Sequence, residues 1–430
     1  MAQPQPPSPP GLETPASPAP RIPFDLFLSP ERGWFRALRH RQFRLFWAGN
    51  FVSNIGSWIH NSALGWLVHQ MTNSPFWLGV LGFAQQVPAL LFSLLGGVLA
   101  DRVHRRRLLF LTQTMMLALA LTLAVLVSLG WITVRQVISI AFLAGTTMAL
   151  NAPTYQAALR DLVDQEDTLN AIALNSIQFN MSRVIGPSVA GFVIAAFSIQ
   201  TCFYLNALSY LALLYAIWRV RFPALHREAN SFGQELAEGF QYVWTHQPIL
   251  LLVLVVAMMS MFGLPYLVMM PAFARDVLHL GPKGFGYLSA AAGAGALLGG
   301  IHLAMLRPHR RRGPLVLGAA CVFFTAILLF CLSRRPGVSA LLLGIVGGAT
   351  VSSVATVNSL IQTIVPNQIR GRVLSMHTMA FLGFTPLGSL LVGTLAETWG
   401  PPKALALSSG FALLLTVAIT FFAPSVRRLQ

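Results

Sequence analysis

Charge is scarce in this chain, and negative charge is scarcer still. Only 10% of the 430 residues are Asp, Glu, Lys or Arg, and just 13 are acidic, where a water-soluble domain carries about 25% charged residues. The shortage excludes a soluble globular fold. Lysine is almost missing, Lys283 and Lys403 standing against 27 arginines. The three cysteines, Cys202, Cys321 and Cys331, fall in apolar runs without C-x-x-C or Cys/His spacing. That excludes a disulfide framework and a metal cluster, and each reads as a packing residue. No phosphate-binding glycine loop, nucleophile motif or His/Asp metal set is present. An enzyme, a cofactor and direct use of ATP are therefore not expected. Nor does an apolar secretory core open the chain. Residues 1–30 hold ten prolines, so residues 1–40 read as a disordered cytoplasmic tail. Its Pro-x-x-Pro spacing would suit a partner, though a passive tail is the simpler reading.

Apolar sequence fills the space that charge leaves, at 55% of positions and a mean hydropathy of +0.65. A helix needs about 20 apolar residues to cross the hydrocarbon core. Six stretches qualify in the first half, near 43–69, 76–100, 108–130, 136–158, 170–197 and 201–219. Six more follow near 248–272, 284–306, 314–333, 338–362, 371–396 and 404–423. This predicts an all-α polytopic membrane protein of twelve transmembrane helices, in two six-helix bundles over 41–219 and 248–423. The segment 220–247 between them is too short for a domain. Within it Ser231 and Gln234 look like a capping box, and Phe232, Leu236, Phe240 and Val243 form an apolar stripe. A helix lying on the membrane surface is expected there, and 424–430 is a short tail. A net charge of +16 would suit nucleic acid. The arginines, however, sit in short turns between spans, which is a topological signal, and no nucleic-acid partner is expected. With the N-terminus inside, 22 of the 29 Lys and Arg are cytoplasmic and six lie in outer loops. Both termini are expected in the cytoplasm.

The two halves echo each other. His104-Arg105-Arg106-Arg107 recurs as His309-Arg310-Arg311-Arg312, each between the second and third span of its half. Gln156 and Gln362 end the fourth spans at nearly the same offset. Two such halves in parallel repeat are a known transporter architecture. The run Gly97-x-Leu99-Ala100-Asp101-Arg102-x-x-Arg105-Arg106 resembles the signature of the major facilitator superfamily, with His104 where the family usually has glycine. Asn170-Ala-Ile-Ala-Leu-Asn175, with Arg183 and Gly186-Pro187 ahead of Gly191, resembles the bacterial efflux branch that contains macrolide and enterobactin exporters. The family's fold would place the start of the eleventh span, near Gly371, beside Gly96 and Gly97. Glycine lets another helix approach closely, and Asp101 would face that helix's positive end. With Arg105 paired to Asp161, and with Arg102 and Arg106 beside them, this predicts a cytoplasmic latch that shuts in the outward-facing state. The second half has Leu306 in place of the acid, so the latch is one-sided.

Arg183 falls near the middle of the fifth span, where a charge costs about 2.5–3.5 kcal/mol even on lenient scales. Asn175, Phe179, Arg183 and Gly186 share helical spacing, which predicts a cavity-lining or gating role, a structural pairing being the alternative. Gly186, Pro187 and Gly191 resemble the antiporter bend motif of the fifth helix, although Ala173 and Ser182 stand where the family pattern has glycine. Further cavity candidates are Asn54, Trp58 and Asn61 on the first span and Gln85 and Gln86 on the second. Met258, Phe262, Tyr266 and Met269 form a stripe on the seventh, with Asn358 and His377 on the tenth and eleventh. Such methionine and aromatic stripes line promiscuous apolar cavities, but they serve packing or lipid contact equally well. Outside Asp101 and Glu397, no expected span holds a carboxylate.

The expected function is secondary transport in the bacterial inner membrane. The chain would act as a monomer among membrane lipids and export a small amphiphile by alternating access. Proton antiport is implied by the family, and a neutral or anionic cargo by the interior arginine. An importer or facilitator of a nutrient or lysophospholipid is the alternative, and a membrane receptor or enzyme is the remote one.

Overall fold

The computed structural model describes residues 35–223, 232–305, 312–427 and 429, and every regular element among them is helical. The first half contains α1 (Arg41–Thr72), α2 (Pro75–Arg102), α3 (Arg105–Ser128), α4 (Val134–Asp161), α5 (Thr168–Ala196) and α6 (Ile199–Arg219). A linker helix, α7 (Phe232–Thr245), follows. The second half contains α8 (Gln247–Val277), α9 (Pro282–Met305), α10 (Arg312–Leu332), α11 (Pro336–Ile364), α12 (Arg370–Trp399) and α13 (Pro401–Phe422). Eleven of these helices are long and apolar enough to cross a membrane. The twelfth span is α1, whose 32 residues suffice in length but carry Asn50, Asn54, His60 and Asn61. It packs among α5 and α6, where Asn50 is buried, Asn54 and His60 are half-buried and Asn61 is exposed.

Local chemistry sets the helix ends. Ser74-Pro75 opens α2, and Thr133 and Gln136 form a capping box on α4. His104, which departs from the family pattern, caps α3: its Nδ1 accepts the Arg106 N–H at 3.3 Å. Asn73 in the left-handed region (φ 50°) turns the chain from α1 into α2, and Gly400 (φ 80°) turns it into α13.

The halves repeat one packing scheme. In the first half α2 packs on α4 and α3 on α6; in the second α9 packs on α11 and α10 on α13. Two crossings join the halves, α2 with α12 and α5 with α9. Both are glycine-on-glycine at one end. A Cβ on Gly79 would lie 2.6 Å from the Ser389 carbonyl and 2.9 Å from the Gly393 Cα. A Cβ on Gly191 would lie 2.5 Å from the Pro282 carbonyl and 3.0 Å from the Gly286 Cα. Only glycine permits such backbone contact.

The tail expectation fails at its inner end. Arg36–Arg39 form a short 3-10 helix clasped to the α4–α5 loop. Arg36 and Arg39 pair with Asp167 at 2.5 and 3.0 Å, and His40 Nε2 lies 2.7 Å from the same carboxylate. The Ala37 N–H donates to Asn170 Oδ1 at 2.9 Å. Burial would raise the Asp167 carboxyl, but the hydrogen bond from His40 and the two arginines hold it below the usual carboxylate value. A depressed carboxyl stabilises the fold above its ordinary value near pH 4 and loses that contribution as acidity reaches the folded value. Asp167→Asn is expected to cost about 1–3 kcal/mol, because it strands buried hydrogen-bonding groups. Thermal unfolding in detergent should show a lower midpoint for the variant at pH 7, with the difference shrinking below pH 4.

On the linker helix the side chains of Phe232 and Leu236 lie outside the described residues. Val243 is buried, whereas Phe240 is exposed and stacks on Trp244. Gly239 packs against the Arg372 backbone at the start of α12, and Glu238 pairs with the Arg372 guanidinium. The proposed Ser231 cap lies outside the described residues, as do Leu306 and the second-half copy from His309 to Arg311. Arg312 from that copy bonds Ser359.

Candidate functional site

The cavity between the halves is read from the two crossings. The α2–α12 crossing is tight at Gly79 and Gly393, still touches at Leu90 and Gly383, and has open space at Gly97 and Gly371. The α5–α9 crossing is tight at Gly191 and Gly286 and touches at Arg183 and Gly293. Beyond it Ile172 and Phe179 on α5 and Leu298 and Ile301 on α9 are exposed. The halves therefore part toward the face that carries the basic turns and seal at the opposite face.

Further contacts reinforce the seal. His69 on α1 is 2.7 Å from the Asp276 carboxylate on α8, and Arg275 donates to the His69 carbonyl at 3.4 Å. Trp66 packs on Phe285 with centroids 5.6 Å apart. Glu397 on α12 accepts from Ser74 Oγ at 2.7 Å and from the Phe76 N–H at 3.1 Å. Asp276 corrects the sequence reading. The seventh span runs on to Val277, so a carboxylate does lie in its last turn.

Arg183 stands at the inner limit of the seal. Its guanidinium lies over the Trp58 ring, 6.0 Å from the centroid, and Trp58 meets Phe179 edge-on at 5.8 Å. Gly186 makes room for the Trp58 Cβ. From the other half Tyr266, fully buried, brings its hydroxyl beside the Arg183 guanidinium. Arg183 has no acidic partner among the described residues. Four expected residues, Trp58, Phe179, Arg183 and Tyr266, thus converge from three helices. Gln85 joins Asn61 at 3.3 Å on the neighbouring wall, while Asn54 sits one turn before Trp58, half-buried.

Other candidates are placed elsewhere. Gln86 bonds its own helix at Gly82. Asn175 belongs to a chain in which Asn50 donates to Tyr155 and Tyr155 to Asn175, each at 2.7 Å. That chain ties α1, α4 and α5 together, and sequence reading missed it because Asn50 and Tyr155 stand 105 residues apart. Asn151, accepting from Thr112 and Gln113, does the same for α3 and α4. Phe262 packs on Phe411 at 5.5 Å instead of facing Arg183, because α8 widens into a π turn over Met259–Gly263. The carbonyl of Phe262 accepts from Ser408 and Ser409 at 3.2 and 3.3 Å. Asn358 pairs with Gln362. His377 is buried with both ring nitrogens unbonded, and His60 turns to Phe203 on α6.

At the basic face Arg105 pairs with Asp161, and Arg106 donates to the Trp218 carbonyl at 2.7 Å. The expected contact of Asp101 with α12 is not made. Asp101 and Arg102 are exposed, Gly97 and Gly371 have nothing near them, and Gly96 receives α4 in place of α12. The physical reason is the splay of α2 from α12 beyond Gly383.

The family profile described as transmembrane secretion effector, within the major facilitator superfamily, matches residues 33–429. The chain belongs to this transporter family. As such it is a multi-pass membrane protein with a small-molecule substrate. A major facilitator relative, the staphyloferrin A transporter of Staphylococcus aureus, is 24% identical over 88% of this chain and 95% of its own length. The enterobactin exporter EntS of Shigella flexneri is 24% identical over 87% of this chain and 90% of its own. The major facilitator fold is also that of the xylose transporter XylE from E. coli, solved in an inward open conformation. It superposes with a TM-score of 0.68 at 14% identity, covering 89% of this chain and 96% of that one.

Proposed function

We propose that the chain exports a small, neutral or anionic amphiphile, drug- or siderophore-like, from the bacterial cytoplasm by alternating access. The bundles 41–219 and 248–423 rock as units about the Arg183 level, joined by 220–247. Both termini and the basic face are cytoplasmic, so the conformation described is inward-open. A proton moves against the substrate, and the monomer works among lipids of the inner membrane. One observation carries the reading. A mid-span arginine without an acidic partner among the described residues stands beside a buried tyrosine hydroxyl at the closed end of the cavity. The guanidinium and the tyrosine hydroxyl are donors that suit an acceptor-bearing cargo, and Trp58 and Phe179 suit its apolar part. One relative, the enterobactin exporter EntS, supports the direction.

The test is uptake into inside-out vesicles under an imposed pH gradient. Labelled macrolides, catecholate siderophores, cationic dyes and lysophospholipids form the panel, with Asp101→Asn as the comparison. Gradient-dependent uptake that falls about tenfold in the variant is the expected result. Uptake indifferent to the gradient would favour a facilitator or importer on the same fold.

A further inference from the structure

Helices α2 and α12 run antiparallel across the interface, and each carries an acid in its last turn, Asp101 on α2 and Glu397 on α12. Each acid therefore sits at the end of its helix that faces the N-terminus of the other, across a closed crossing for Glu397 and across open space for Asp101. Only one of the two is engaged. Glu397 Oε2 takes the Ser74 hydroxyl and the Phe76 N–H, while Asp101 is exposed with no ion pair among the described residues. The start of α2 needs such a partner. Ser74 makes no cap bond within its own helix, and Pro75 in the first helical position has no N–H. Phe76 is then the first free donor, and the positive end of α2 meets a carboxylate supplied by the other half.

We propose that Glu397 is a locking residue at the sealed face, a reciprocal counterpart of Asp101, so that α2 and α12 cap one another at alternate ends of the cycle. Rigid halves cannot close both ends at once. Forming the Asp101 cap at Gly371 draws Glu397 away from Phe76, and forming the Glu397 cap leaves Asp101 in water. The two acids set the balance between the conformations without touching the substrate. The contact between His69, Asp276 and Arg275 seals the same face through α1 and α8, and it remains when Glu397 is changed.

This inference rests on the alternating-access reading, and its test separates the two. Full-length protein, with its three cysteines replaced by alanine and reconstituted in nanodiscs, carries spin labels in pairs. One pair is Leu169→Cys with Met305→Cys at the basic face; the other is Gln70→Cys with Lys283→Cys at the sealed face. Glu397→Ala is expected to raise the ratio of sealed-face-open to basic-face-open molecules by about three- to tenfold. Ser74→Ala should move it the same way by less. Glu397→Gln, which keeps the acceptor but loses the charge, should fall between wild type and alanine. Asp101→Asn added to Glu397→Ala should pull the ratio back. Gly191→Leu, which opens the same face by bulk, reports alternation itself. If it shifts both distances while Glu397→Ala and Ser74→Ala leave them unchanged, the lock is wrong and alternation stands. If none of the variants shifts either distance, both readings fall.

Discussion

Arg183→Ala is expected to lower kcat/KM about 10- to 100-fold for anionic substrates, and far less for cationic ones. A hydrogen bond to a charged group contributes about 1.5–3 kcal/mol, and about 1.4 kcal/mol is tenfold. The guanidinium has no acidic partner among the described residues to release, so its removal strands no buried carboxylate. Trp58 and Phe179 keep their edge-on contact without it. Arg183→Lys should recover part of the loss, since the charge returns without the fork. Counter-flow in proteoliposomes with substrates of both charges measures the difference. An equal loss for anions and cations would show that the arginine supports the helix interface and does not select the cargo.

The second large effect concerns the glycine crossings. Gly191→Leu should shift the protein strongly toward opening at the sealed face. Even its Cβ would stand 2.5 Å from the Pro282 carbonyl, and overpacking of this kind costs about 1–3 kcal/mol. The strain exists only while α5 and α9 are closed there, so it appears as a population change of about 5- to 150-fold. Gly79→Leu should act alike through Ser389 and Gly393, because the two crossings are equivalent under the repeat. Labelling of a cysteine placed at Gln70 with a membrane-impermeant reagent should rise from the sealed face in either variant. Unchanged labelling would mean that the crossings are fixed contacts instead of a gate.

The span count, the two halves and the Arg105–Asp161 neighbourhood were legible because each rests on a local signal: length of apolar run, a repeated tetrapeptide, a signature between helices. Arg183 was legible because an uncompensated charge in a span is costly wherever it points. What the sequence hid depends on pairing at a distance. Glu397 looked like a surface acid until Ser74 and Phe76, more than three hundred residues earlier, came beside it. Asp276 was placed beyond a span read as ending at 272, whereas the helix continues through Pro271 to Val277. The stripe of Met258, Phe262, Tyr266 and Met269 failed for a sharper reason. Helical spacing assumes one uninterrupted ladder, and the π turn at Met259–Gly263 inserts a residue between Met258 and Tyr266.

That insertion has a mechanical meaning. One residue in an α-helix is about 100° of rotation, so each widened turn acts as a phase shifter between the ends of α8. Two such turns, Met259–Gly263 and Phe273–Val277, bracket Tyr266. The azimuth of the tyrosine is thereby decoupled from both the basic end of α8 and from Asp276. The seventh span is in this sense a rotational spacer, setting where Tyr266 points independently of how its two ends are docked.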